Sequence, residues 1–241
     1  MIKYIFPLLF FVSTLNAQDF EGRIRYSITY ESNDKSSEHL SKLKKYKSSD
    51  SVLVAYVKGK DFLKFSYKPN TIDIYNAKTN RVYSLEKDDK YIVVHDPVLN
   101  NVSKESTPKV VKSDSIEVIN NIKCKKAIFD FGHYKSIVYY NDESKYNGLG
   151  KLFFYKSLIG THIKQSFLSD FLIVKFVQEY KDVKSIASIV ELENVTIDSS
   201  IYRVPKFEKS DEYDYDPRDK YQVYEIIDKS FKFPDLGHAS N

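Results

Sequence analysis

The most regular stretch of the chain is residues 22–30, G-R-I-R-Y-S-I-T-Y, in which Ile24, Tyr26, Ile28 and Tyr30 alternate with Arg25, Ser27 and Thr29. A period of two places successive side chains on opposite sides of a pleated backbone, so this stretch is predicted as a half-buried strand. Residues 51–57 are apolar at both parities and predict a strand covered on both faces. Residues 61–68 return to alternation, with Leu63, Phe65 and Tyr67 predicted inward and Lys64 and Ser66 outward. Short runs at 71–76, 81–86 and 91–95 follow, separated by A-K-T-N and K-D-D-K. Gly59-Lys60 and Pro69-Asn70 supply the remaining turns, glycine because it adopts the positive φ of tight hairpins. Links this short join antiparallel neighbours, so residues 51–95 predict a meander of hairpins.

The second half is less regular. Residues 97–112 contain Pro97 and Pro108 and predict a loop, after which strands are expected at 115–119, 122–131 and 134–140, with Asn120-Asn121 as a turn. Residues 141–150 form a polar, glycine-bearing link, and 151–167 fit either strand or helix. Strands are predicted again at 171–180, 185–192 and 195–204. Covering helices have two sources, residues 40–46, where Leu40, Leu43 and Tyr46 recur at threes, and 152–167. About ten strands with hairpin spacing and few helices predict a mostly β fold: one curved antiparallel sheet or an incomplete barrel with short covering helices.

The two ends differ from this body. Residues 1–17 combine an early Lys3, an apolar run from Tyr4 to Leu15 and a small residue at Ala17, the pattern of a secretory signal peptide. That run is shorter than the roughly 20 apolar residues of a membrane span. Residues 18–207 are read as the β domain and 208–241 as an acidic, aromatic C-terminal extension. The run D-E-Y-D-Y-D-P-R-D at 211–219 is predicted to be a solvated linker, and residues 221–233 a short helix or an added strand.

Composition narrows the chemistry. Hydrophobic residues at 42% and aromatics at 15% exclude a wholly disordered chain, and a net charge of +4 with mixed signs leaves no concentrated nucleic-acid footprint. The seven glycines form no phosphate-cradling loop. Cys124 is the single cysteine, which excludes an internal disulfide. It reads as a small buried hydrophobe or as a nucleophile activated by Lys123, Lys125 and Lys126. His39, His95, His133, His162 and His238 show no zinc spacing, and the acidic run lacks the spacing of an EF-hand loop. Lys42, Lys44, Lys45 and Lys47 make the densest basic patch, a solubilising surface or a contact for anionic headgroups. No catalytic residue, cofactor or metal is expected.

Several landmarks resemble the GLPGLI family of exported Bacteroidetes proteins. Gly22-Arg23-Ile24-Arg25-Tyr26 follows the signal segment at once, and Cys124-Lys125-Lys126-Ala127 leads into Val138-Tyr139-Tyr140. Ile197-Asp198-Ser199-Ser200-Ile201-Tyr202-Arg203-Val204-Pro205 closes the domain. The family's eponymous motif falls at Gly148-Leu149-Gly150-Lys151-Leu152-Phe153, without its proline and second glycine. The resemblance implies an exported domain, periplasmic or extracellular, and by shape an analogy with lipoprotein-carrying half-barrels. The inner face of such a sheet would be strongly aromatic, and an aromatic-lined groove holds apolar ligands. The expected function is a non-catalytic envelope protein binding or carrying a lipid or other apolar ligand. Tyr26, Ile28, Tyr56, Leu63, Phe65, Tyr67 and Tyr139 are the candidate groove residues. The alternative is a structural or interaction module that docks a protein partner through sheet edges or the acidic tail.

Overall fold

The structure, a computed structural model, describes residues 19–32, 52–66, 70–96, 108–154, 167–179, 183–213 and 221–234. The expected signal peptide, the helix expected at 40–46 and the basic patch beside it lie outside the described residues.

The meander expected at 51–95 is present as β2 (Val52–Lys58), β3 (Asp61–Ser66), β4 (Thr71–Asn76), β5 (Arg81–Glu86) and β6 (Tyr91–His95). A second meander comprises β7 (Lys109–Ile119), β8 (Ile122–Asp130), β9 (Lys135–Asn141), β10 (Leu172–Glu179) and β11 (Val183–Asn194). The first strand, β1 (Glu21–Ser32), joins the two by pairing with β2 on one side and β11 on the other. With β12 (Phe207–Lys209) and β13 (Tyr221–Ile226) the described strands form one 13-stranded sheet, ordered β12-β13-β6-β5-β4-β3-β2-β1-β11-β10-β9-β8-β7. Its neighbours pair antiparallel and its two ends do not meet, so the fold is a mostly β, open antiparallel sheet. The C-terminal extension expected from residue 208 thus enters the same sheet, as an added strand at 221–226.

Hairpins form where short polar residues tolerate positive φ. Asn120 and Asn121 stand at 48° and 64°, the paired left-handed conformations of a two-residue hairpin whose twist matches its strands. The sheet bends at irregularities in its second half. Val190 is extra on β11 opposite Arg25 and Tyr26, Val174 is extra on β10, and β7 carries surplus residues between Ser113 and Glu117. An extra residue on one strand of a pair increases local twist and kinks the strand, which curves the sheet.

Two apolar clusters hold the sheet from opposite sides. On one face Ile24, Tyr26, Ile28, Leu53, Ala55, Val57, Phe62, Tyr75 and Val82 belong to a cluster that Tyr146, Leu149, Leu152 and Leu168 complete. These covering residues come from the link between β9 and β10, where Lys151–Phe154 form one short helix, α1. Lys151 donates to the Tyr75 hydroxyl at 2.8 Å, fixing α1 over β4. On the other face Leu63, Ile72, Ile74, Leu85 and Ile92 are covered by Ile201, Tyr202, Val204, Phe207, Phe231 and Phe233.

Three expectations are corrected. Lys64, predicted outward, is buried opposite Asp73, because β3 is covered on both faces. Residues 195–204 are not a strand. Asp198 accepts the backbone N–H of Ser200 at 2.9 Å and its hydroxyl at 2.7 Å, and Ser199–Tyr202 turn as one 3-10 helix. Such local side-chain bonds offer the backbone an alternative to a sheet ladder. Finally, the loop expected up to 112 ends earlier, since β7 starts at Lys109, directly after Pro108.

Candidate interaction surface

The described members of the nominated groove do not all share one face. Directly paired residues share a face and sequence neighbours take opposite faces. Tyr26 and Ile28 lie in the cluster under α1, whereas Leu63 lies in the cluster under the C-terminal segment, with half-buried Tyr56 packed against it. Tyr139 pairs with Lys126 and Lys175, on the side opposite Val138, and both ammonium groups approach its ring, at 5.5 and 5.7 Å from the centroid. Phe65 lies on β3 without a described side chain, and Tyr67 lies outside the described residues. Tyr26 is wholly enclosed. Its hydroxyl donates to the carbonyl of Ile173 at 3.0 Å, and burial pushes the phenol well above its ordinary value.

Polar groups inside the sheet went unnoticed in the sequence. Lys64, Asp73 and Ser84 are direct cross-strand neighbours on β3, β4 and β5, and all are buried. The Lys64 ammonium lies 3.4 Å from Asp73, and Ser84 donates to the other carboxylate oxygen at 2.6 Å. Further along the Tyr26 face, Gln178 and Ser136 pair directly and are buried, and the Gln178 Nε2 donor has no partner among the described residues. Of these residues Lys64 was expected outward from alternation.

The residues weighed for chemistry stand on separate elements of the sheet. Cys124 is buried, its thiol donates to the Ile122 carbonyl at 3.2 Å, and burial pushes it up to about 11. His95 is buried at the end of β6, beside the Asp96 carbonyl and 5.3 Å from the Tyr221 ring. His133 sits in the β8–β9 turn. Among the described residues no three His, Cys, Asp or Glu side chains gather as a metal site. Glu212 of the acidic run binds Lys90 at 2.7 Å and the Tyr91 hydroxyl, and Tyr213 meets the Tyr91 ring edge-on at 5.2 Å. This part of the run is tied to the β5–β6 hairpin.

The ends of the sheet are unequal. At one end β12 has three residues, and its Phe207 ring folds against Tyr83 and Tyr224, 6.1 and 4.9 Å away. At the other end β7 runs for 11 residues, and no described strand pairs with it beyond β8. Val110, Val111, Ile116 and Val118 on it are 43, 50, 56 and 65% exposed. Lys109 precedes them and Lys112, Asp114 and Glu117 stand between them, of which Glu117 reaches Lys126 at 3.6 Å. A long edge strand presents a row of backbone donors and acceptors to which another extended chain can add. The β-branched residues of 109–119 carried this signal, and the two prolines before them masked it.

No family model and no curated protein matches the chain. It is similar to solved structures of PNGF-II in C2 and P21 crystal forms, at 14% identity and TM-scores of 0.45 and 0.41. Each match covers 75% of this chain and 29% of the other, so the chain spans less than a third of the structures it matches. Among the described residues no helix is long and apolar enough to cross a membrane.

Proposed function

We propose that the protein is an exported, non-catalytic interaction module of the cell envelope that takes up an extended polypeptide segment beside β7. The observation that carries the reading is this 11-residue terminal strand with its exposed Val110, Val111, Ile116 and Val118. Backbone ladder bonds along such an edge supply affinity, and the alternating side chains supply selectivity. The signal-like residues 1–17 support export, and the order of landmarks from Gly22 to Pro205 supports a place in the GLPGLI family. The test is photocrosslinking in the expressing cell, with the crosslinker at Val111 or Val118 on β7 and at Glu208 on β12 as control. Discrete adducts mapping to one extended polypeptide segment are expected from the β7 positions alone. Absence of adducts from both β7 positions overturns the reading.

A second reading, carriage of an apolar ligand, is favoured by one observation. The Gln178 donor, without a partner among the described residues, lies beside Ser136 on the same face as Tyr26 and Ile28, where it could bond the polar head of such a ligand. Native mass spectrometry of gently purified protein decides it. A mass excess lost on denaturation favours the carrier, and a bare polypeptide mass removes it.

A further inference from the structure

Building on the edge-docking reading, we infer that the strand taken up beside β7 is β7 of a second copy of this chain. The argument is the order of charges along the edge. Lys109 and Lys112 occupy its first half, Asp114 and Glu117 its second. When two copies meet antiparallel with Ser113 opposite Ser113, Lys109 falls opposite Glu117 and Lys112 opposite Asp114. In the same register Val110 meets Ile116 and Val111 meets Ser115. Opposite charges facing across a strand pair attract, and like charges repel. Centring the pair one residue earlier sets Lys112 against Lys112, and one residue later sets Asp114 against Asp114. Of these three centres only Ser113 sets opposite charges face to face, and that register is self-complementary about a two-fold axis, as an isologous contact requires.

The surroundings agree. Lys109, Lys112 and Asp114 are exposed, and Glu117 is partly so. The surplus residues of β7 lie between Ser113 and Glu117, next to the two-fold. Charges and a bulge are devices by which natural edges turn away indiscriminate strands. A second copy brings the complementary charges, which an arbitrary strand lacks. The two sheets would then continue into each other across β7.

Sedimentation equilibrium of the full exported protein tests the pairing. The native sequence is expected at the mass of two chains. The Lys109→Glu/Lys112→Glu variant has an all-acidic edge and the Asp114→Lys/Glu117→Lys variant an all-basic one, and each is expected to fall to half that mass. Mixed in equal amounts, the two variants are expected to regain the two-chain mass, which also shows that both fold. A native protein at one-chain mass, or double variants that stay at two chains, overturns the inference. Crosslinkers at Val111 and Val118 on otherwise native protein give an independent readout. Adducts at twice the chain mass support self-pairing. Adducts to a different polypeptide overturn it and leave edge docking standing, and no adducts overturn both.

Discussion

Cys124 is 1% exposed on β8, and its thiol is pushed up to about 11, first by burial. The thiolate is the reactive form, so a thiol held protonated in the core is inert. A colorimetric thiol reagent at pH 8 is expected to leave native protein unmodified and to react fully in denaturant; rapid native reaction would show the lysine-activated alternative instead. Asp228 behaves in the opposite sense. Its carboxylate accepts from the Ser230 hydroxyl at 2.6 Å, the Ser230 backbone at 3.0 Å and Arg203 at 2.5 Å. Hydrogen bonding from Ser230 leads in holding it at about 2, below an ordinary 3.8. In that window the unfolded chain binds the proton and the folded chain does not, so stability present above about pH 4 is lost as pH falls toward 2. Urea midpoints at pH 6, 4 and 3 are expected to drop less for Asp228→Asn than for the native protein. Gly22 is constrained by space. A Cβ there would lie 1.9 Å from the Glu193 carbonyl oxygen on β11. Backbone must shift to admit it, and overpacking of this kind costs about 1–3 kcal/mol. Gly22→Ala is expected to lower the denaturation midpoint accordingly, with an unchanged midpoint refuting the close approach.

Among the elements, β3, β4 and β5 show how far alternation carries. It placed Tyr26 and Ile24 on one face correctly, because β1 faces one cluster with that parity and carries Arg23, Arg25 and Ser27 on the other. It failed at Lys64 because alternation gives parity and not what covers each side. Lys64 shares the face of Phe62 and Ala55, and the cover of that face, Tyr146, Leu149, Leu152 and Leu168, comes from the β9–β10 link far along the chain. Residues 195–204 failed for a different reason, since Asp198 and Ser200 satisfy the backbone locally and end the ladder. Only half of β7 was legible, its first residues being hidden behind Pro108. The buried row that alternation missed makes its own prediction. Removing one member of a buried ion pair leaves the other charge without its partner and costs about 3–5 kcal/mol, whereas replacing both with apolar residues is near neutral. Asp73→Asn and Lys64→Met are each expected to destabilise strongly in urea, and Lys64→Met/Asp73→Leu to recover most of the loss. Additive single losses in the double variant would deny the coupling.

At the scale of the whole molecule, the described strands form one sheet with the three-residue β12 at one end and the 11-residue β7 at the other. The seven candidate groove residues look alike in sequence, while the topology sends Tyr26 and Leu63 to opposite faces. The edge at β7 escaped notice because exposure of a strand's edge depends on the order of strands, and that order is set by pairings between distant segments. The C-terminal segment shows the same dependence. Phe207, Tyr224, Ile226, Phe231 and Phe233 pack on the face of Leu63, Ile72, Ile74, Leu85 and Ile92, and β13 covers the edge of β6. A chain ending at Glu193 loses that cover and turns β6 into a bare strand. Five large aliphatic side chains then face water, at about 25 cal/mol for each Å² of apolar surface uncovered. Such a chain is expected to bind an apolar dye strongly and to lose its sharp thermal transition. A truncated chain that still melts sharply and leaves the dye unbound would show that the β2–β6 meander is stable without its tail.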